Sequence, residues 1–336
     1  MSMRLNPARV SWIASVLAAA MLAAGAGSML IGPAGLAPQA VLRGLFVSDA
    51  GTLALVVQEI RLPRTVLAAA IGAVLGLGGA ALQGYLRNPL AEPGLIGVTG
   101  AAALGAVLML YTGASQTLPL ALPLGGMAGA LLAVLLVLLL AGRAADTLTL
   151  ILAGVAVTSF ASALTSLALN LAPSPFAALE IVFWLLGSLS GRSLEHVALA
   201  LPFMLVGGAL IVSTARALDA LALGEDAAQS LGFRLAAVRW RLVVGTALAV
   251  GAATAVAGAI GFVGLVVPHV LRPVVGHKPS ALLPVSALGG AVLLLLADIL
   301  VRLVTPAQEL KLGVVTALIG APFFFALVIQ SRRGVA

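Results

Sequence analysis

The sequence predicts an all-α polytopic membrane protein with about ten transmembrane helices. Three observations lead there. Hydrophobic residues make up 62% of the 336-residue chain and charged residues 9%, against roughly 45–50% and about 25% in soluble domains, so polar groups are too few to cover a water-facing surface. The apolar residues fall in continuous runs near the ~20 residues that cross a bilayer as a helix, not in the alternating ~10-residue segments of a β-barrel. Helices also satisfy their own backbone hydrogen bonds in lipid.

In chain order, spans are expected near 10–32, 62–85, 94–112, 119–141, 147–171, 196–214, 240–258, 260–275, 283–303 and 313–331. Arg4, Arg9 and Ala24-Gly25-Ala26 imitate a cleavable signal, but the run from Val10 to about Ile31 has spanning length and reads as a retained first helix. The segment 260–275 is short and carries Pro268, a broken or re-entrant helix that decides between nine and ten spans. Ten spans, with the N-terminus inside, put twelve of the eighteen Lys and Arg residues at cytoplasmic ends and six outside. That is the bias the positive-inside rule demands. Nine spans would put Arg332 and Arg333 outside, so ten is the better count.

Residues 33–61 form one outer connection and 172–195 another. The second, with Pro173, Pro175, Phe176, Phe183 and Trp184, suits a short helix at the interface. Residues 215–239 are the longest inner loop, within a single membrane domain covering 1–336. Gly72 and Gly76 form a G-x-x-x-G pair continued by Gly79 and Ala80, and Gly251, Gly258, Gly261 and Gly264 stud the seventh and eighth segments. Close backbone approach between membrane helices needs such residues.

Several chemistries are excluded. The only lysines, Lys278 and Lys311, follow His277 and Leu310, so no G-x-x-x-x-G-K-[ST] phosphate loop exists. With no cysteine there are no disulfides or thiolate ligands. The net charge of +7 acts on topology and does not point to nucleic acid. His196, His269 and His277 are scattered without metal-ligand spacing, and His269 after Pro268 reads as packing. Asp298 and Arg302, four residues apart near a helix end, form either a local structural pair or, less favoured, an ion-coupling carboxylate. No catalytic cluster supports a membrane enzyme, and the polar midmembrane groups of an ion-coupled carrier are scarce.

Two segments are more specific. One runs from Arg61-Leu62-Pro63-Arg64 to Arg87-Asn88-Pro89-Leu90-Ala91-Glu92-Pro93-Gly94, opening a helix outside and closing it inside with a Pro-bracketed turn. The other runs from Gly261-Phe262-Val263-Gly264 through Pro268-His269, Leu283-Pro284, Ala297-Asp298 and Glu309-Leu310 to Gly320-Ala321-Pro322. In their order and spacing, over nearly the whole chain, they resemble the FecCD-type permease subunits of type II ABC importers for iron chelates, haem and vitamin B12.

The resemblance implies ten helices, two permease copies, two ATPase subunits carrying ATP and Mg, a periplasmic binding protein, and an inner-membrane location. It implies no cofactor on this chain and no enzymatic step in it. Gly224, Glu225, Asp226, Ala227, Ala228, Gln229, Leu231 and Gly232 match the segment that couples to the ATPase. Physics agrees, since acids suit the first turn of a short helix and glycine its stop. Arg61, Arg64 and Arg302 match positions that meet acidic groups of the binding protein; anchoring of helix ends at headgroups is the other reading. Asn88, Pro89 and Leu90, with Thr147, Leu148 and Thr149, match the cytoplasmic gate, or are ordinary turns. A heterodimer of permeases is the alternative to a homodimer. Haem and ferric siderophores are the first expectation for cargo and a corrinoid the alternative, with an ion-coupled carrier behind both.

Overall fold

The computed structural model describes residues 7–32, 34–47, 51–118, 120–142, 147–304 and 310–333. Arg4, Arg143 and Glu309, and the side chains of Thr147, Arg332 and Arg333, lie outside the described residues. Every regular element among the described residues is helical. In order they are α1 Pro7–Leu30, α2 Pro38–Phe46, α3 Thr52–Tyr85, α4 Val98–Tyr111, α5 Ala121–Ala141, α6 Thr147–Asn170 and α7 Pro175–Leu185. Then come α8 Leu194–Val212, α9 Ala215–Leu221, α10 Glu225–Ser230, α11 Leu235–Ala257, α12 Val263–Val275, α13 Pro279–Val304 and α14 Leu312–Arg333.

Seven helices (α1, α3, α5, α6, α8, α11 and α13) are long and apolar enough to cross a bilayer, while α4, α12 and α14 occupy the three other expected spans. The 14 residues of α4 and 13 of α12 rise only ~20 Å, short of the ~30 Å hydrocarbon core. The interfacial helix expected in 172–195 is α7, opened by Pro175 and capped where Ser174 Oγ accepts from Ala177 N at 3.2 Å.

Three boundaries differ from expectation. The helix expected to open at 62 begins at Thr52, with residues 55–61 in π geometry. Pro63 has no N–H and its ring crowds the carbonyl four residues back; widening the preceding turn accommodates it, so the helix continues where Pro suggested a start. Residues 93–96 form a 3₁₀ turn and α4 starts only at Val98. The inner loop expected at 215–239 is largely helical, with α11 already under way at Leu235.

The most enclosed helices are α3 and α11. Along α3 the predicted small face meets α13 backbone to backbone: a Cβ at Gly72 or Gly76 would land on the carbonyl oxygens of Gly290 and Ser286. Between α4 and α5 the same device recurs, unforeseen, with Gly105 and Gly129 set against the carbonyls of Gly125 and Ala101. Large apolar residues on α5, α6 and α8, such as Leu131, Leu139, Phe160 and Leu205, remain on the outside of the bundle, as lipid- or partner-facing helices require.

Candidate functional site

Three places gather the residues that the sequence singled out. At the outer end, the three arginines turn inwards. Arg61 is 4% exposed, and its Nη1 donates to the carbonyls of Met29 and Leu30 at 2.7 and 2.9 Å. Arg302 Nη1 donates to the carbonyls of Ser28 and Ile31 at 2.8 and 2.7 Å, and its Nη2 to Ser28 Oγ at 2.6 Å. These carbonyls are the orphan acceptors at the end of α1, the negative pole of its dipole. Asp298, completely buried, accepts from Arg64 Nε at 2.9 Å. Arg302 Nη2 lies 2.8 Å from its other oxygen, a charge contact without hydrogen-bond alignment. The local Asp298–Arg302 pair foreseen from spacing is thus part of a larger lock joining α1, α3 and α13. Asp298 thus meets two guanidiniums, while that of Arg61 is held by the α1 carbonyls beside them.

Inside the bundle, the two motif segments meet. The carboxylate of Glu92 accepts from the backbone N–H of Phe262. Pro93 packs on Gly264, whose Cβ position lies 2.8 Å from Pro93 Cδ, and on Gly78. Phe262 holds a left-handed backbone with φ 68°, a conformation costly for a bulky side chain, and lies flush on Gly320. The short helices α4 and α12 therefore start near one junction against α3. Burial pushes the Glu92 carboxyl above its usual range, and the Phe262 N–H opposes that shift. The sequence places Glu92 in a Pro-bracketed turn at the inner end of a helix; Phe262 is far along the chain, and no local pattern announces it.

At the inner end, α10 stands between Gly224 (φ 118°) and Gly232 (φ 86°), left-handed positions that favour glycine. Gly232 N donates to Gln229 O at 2.9 Å and Phe233 N to Ala228 O at 3.0 Å, closing the C-terminus. Ala228 is buried and anchors the helix, while Leu223 and Leu231 are 75% and 62% exposed. Glu225, Asp226 and Gln229 face solvent and Ala227 is half-buried. The 87–90 turn lies alongside, with Arg87 Nη2 3.9 Å from Glu225 Oε1. In that turn Asn88 Oδ1 accepts from Leu90 N at 2.9 Å and Asn88 O from Ala91 N at 3.2 Å. Pro89 and Leu90 are exposed, as is Leu148, with Thr149 half-buried in the first turn of α6. The 87–90 turn and α10, separate in the sequence, are thus brought together at Arg87 and Glu225. The histidines serve structure or line a cavity: His196 Nδ1 lies 2.9 Å from Ser193 Oγ in a capping box, and His269 packs edge-on to Phe323.

A bundle of these helices, with half-length helices meeting inside it and a small helix offered at its inner face, is the fold of an ABC transporter permease. It superposes on a solved metal-chelate type ABC transporter in an inward-facing conformation with a TM-score of 0.84, 32% identity, and coverage of 95% of this chain and 99% of that one. Residues 9–330 match the family model described as the FecCD transport family, and the chain belongs to that family. Relatives include the uncharacterized ABC transporter permease YvrB of Bacillus subtilis, 42% identical over 285 residues, covering 83% of this chain and 80% of the relative. The vitamin B12 import system permease BtuC of Citrobacter koseri is 40% identical over 324 residues, covering 96% and 95%. The chain is therefore a multi-pass ABC importer permease, a transport subunit.

Proposed function

We propose that this permease carries a bulky metal chelate across a bacterial inner membrane, as two copies around a shared pathway. Two separate ATPase subunits, holding ATP and Mg, drive it from inside, and a periplasmic binding protein delivers the cargo. An iron chelate, haem or ferric siderophore, is the first reading of the cargo. A corrinoid is the second, favoured by the 40% identity to vitamin B12 permeases over nearly the whole chain. A heterodimer with another permease is the alternative assembly.

The observation that carries the coupling role is α10, anchored by buried Ala228 and flanked by exposed Leu223 and Leu231. Docked in a cleft of the ATPase, Gly224 to Gly232 would transmit its movements, and the Arg87–Glu225 contact would pass them to the gate formed by Asn88, Pro89 and Leu90 with Thr147, Leu148 and Thr149. At the other end, the guanidiniums of Arg61, Arg64 and Arg302 would help attract an acidic binding protein; steering acts through the field and needs no full exposure.

Growth of a deletion strain on haem, on a ferric siderophore, or under corrinoid dependence tests the cargo. Complementable loss on either iron source supports the first reading, and loss confined to corrinoid-dependent growth supports the second. Uptake that survives vanadate and stops when the ion gradient is collapsed would overturn ATP coupling.

A further inference from the structure

We propose that the inner face carries a second binding site, for a phosphate-type anion, in the cavity between the end of α3, the end of α12 and the start of α13. The cavity has a volume of about 260 Å³, and its walls include Gln83, Arg87, Pro89, Arg272, His277 and Pro279. That is smaller than the roughly 300–1,000 Å³ of pockets that enclose drug-sized ligands, so a bulky chelate does not fit. An anion with a few waters, each needing roughly 30 Å³, does.

The case rests on how Arg272 is held. Its Nη2 donates to Gln83 Oε1 at 2.6 Å. Gln83 is itself 2% exposed, and its Nε2 faces the carbonyls of Gly264 and Leu265 at 3.3 and 3.4 Å. The amide is thereby oriented with its oxygen to the guanidinium, which gains an acceptor but no counter-charge. Among the described residues Arg272 has no carboxylate partner. A partly buried cation satisfied only by a neutral amide favours an anion supplied from outside.

The neighbouring acids do not meet this need. Asp219 is engaged by Lys278 at 3.6 Å and by Ser280 N at 2.8 Å. Glu225 sits 3.9 Å from Arg87 with half of each side chain in solvent. Arg87 adopts a left-handed backbone, φ 47°, unusual for a residue with a Cβ, and its side chain joins the cavity wall. Two guanidinium forks with an imidazole beside them match the several oxygens of a phosphate group. One fork lies on the 87–90 turn and the other on α12. A bound anion ties these elements together next to the coupling helix, a function outside cargo transport itself.

The ligand comes either from free phosphate or from the headgroup of an anionic lipid. Titration of the purified, delipidated full-length permease with inorganic phosphate, followed by phosphorus NMR line broadening at constant ionic strength, tests the first source. Native mass spectrometry with phosphatidylglycerol tests the second. Saturable binding of either probe is expected, weakened about tenfold in Arg272→Gln and in Arg87→Gln, partly restored in Arg272→Lys, and unchanged in Arg216→Gln, a solvent-exposed arginine outside the cavity wall. Because Arg87 is exposed, its variant keeps the test valid if Arg272→Gln does not fold. Binding of neither probe, binding as tight in the Arg87 and Arg272 variants as in the unaltered chain, or seating of an acidic ATPase side chain between the two arginines would overturn the site.

Discussion

At the outer end, Arg61, Arg64 and Arg302 are drawn into the protein around Asp298 and the last carbonyls of α1, with hydrogen bonds as short as 2.6 Å. At the inner end, Arg87 and Glu225 meet at 3.9 Å in solvent, beside two leucines that the described residues leave mostly exposed. Residues of the same type thus do different work. The outer charges hold three helices in register, whereas the inner face keeps its contacts loose and its apolar surface available. Burial, more than charge, separates a structural lock from a docking surface.

The comparison can be broken first at Asp298. Asp298→Asn leaves the guanidiniums of Arg64 and Arg302 without this carboxylate, and removal of one partner of a buried pair costs about 3–5 kcal/mol. A clear fall in melting temperature is expected; an unchanged melt would mean the cluster is no lock. The double substitution Leu223→Ser and Leu231→Ser should leave the melt alone. It should weaken association with the ATPase by about a hundredfold, if two leucines each contribute about 1.5 kcal/mol on docking, and copurification reads this directly.

Glu92 lies between these extremes, and pH sharpens the point. Its carboxyl is raised by burial, so the neutral form suits the fold. The associated stability is fully present below the ordinary glutamate value and is lost as pH rises through the raised one. Glu92→Gln should flatten that decline in melts recorded from pH 4 upwards; an unaltered slope would assign it to other groups. The smallest effect is expected for Glu225→Gln. An exposed pair contributes only a few tenths of a kcal/mol, so the melt should not move while stimulation of the ATPase falls. Equal loss of both would make α10 a structural element.

Much of the helical order was legible, because spanning-length apolar runs and the bias of Lys and Arg are local signals. So were the close-packing face of α3, from the spacing of Gly72 and Gly76, though not its partner α13, and the shape of α10, from Glu225, Asp226 and Gly232. The inward turn of Arg61 was not. Pro63 is as compatible with a helix start as with the π turn that the structure uses, and only α1, far away in sequence, supplies the acceptors. Glu92 escaped for a similar reason, since Phe262 and Gly264 become its neighbours only after folding. Gly125 and Gly129 form another G-x-x-x-G pair, and their contact with Gly105 and Ala101 of α4 appears only in the folded chain.

The glycine contact of α3 with α13 has a mechanical consequence. Helices separated by long side chains have a compliant layer and can slide as rotamers rearrange. Gly72 and Gly76 against Gly290 and Ser286 have none, because peptide rests on peptide. The two helices must travel as one stiff spar, and displacement during a transport cycle has to be taken up elsewhere. The contact between α13 and α14 is far sparser, so displacement has room to appear between those two. Distance probes spanning α3 and α13 should therefore read constant while those spanning α13 and α14 change.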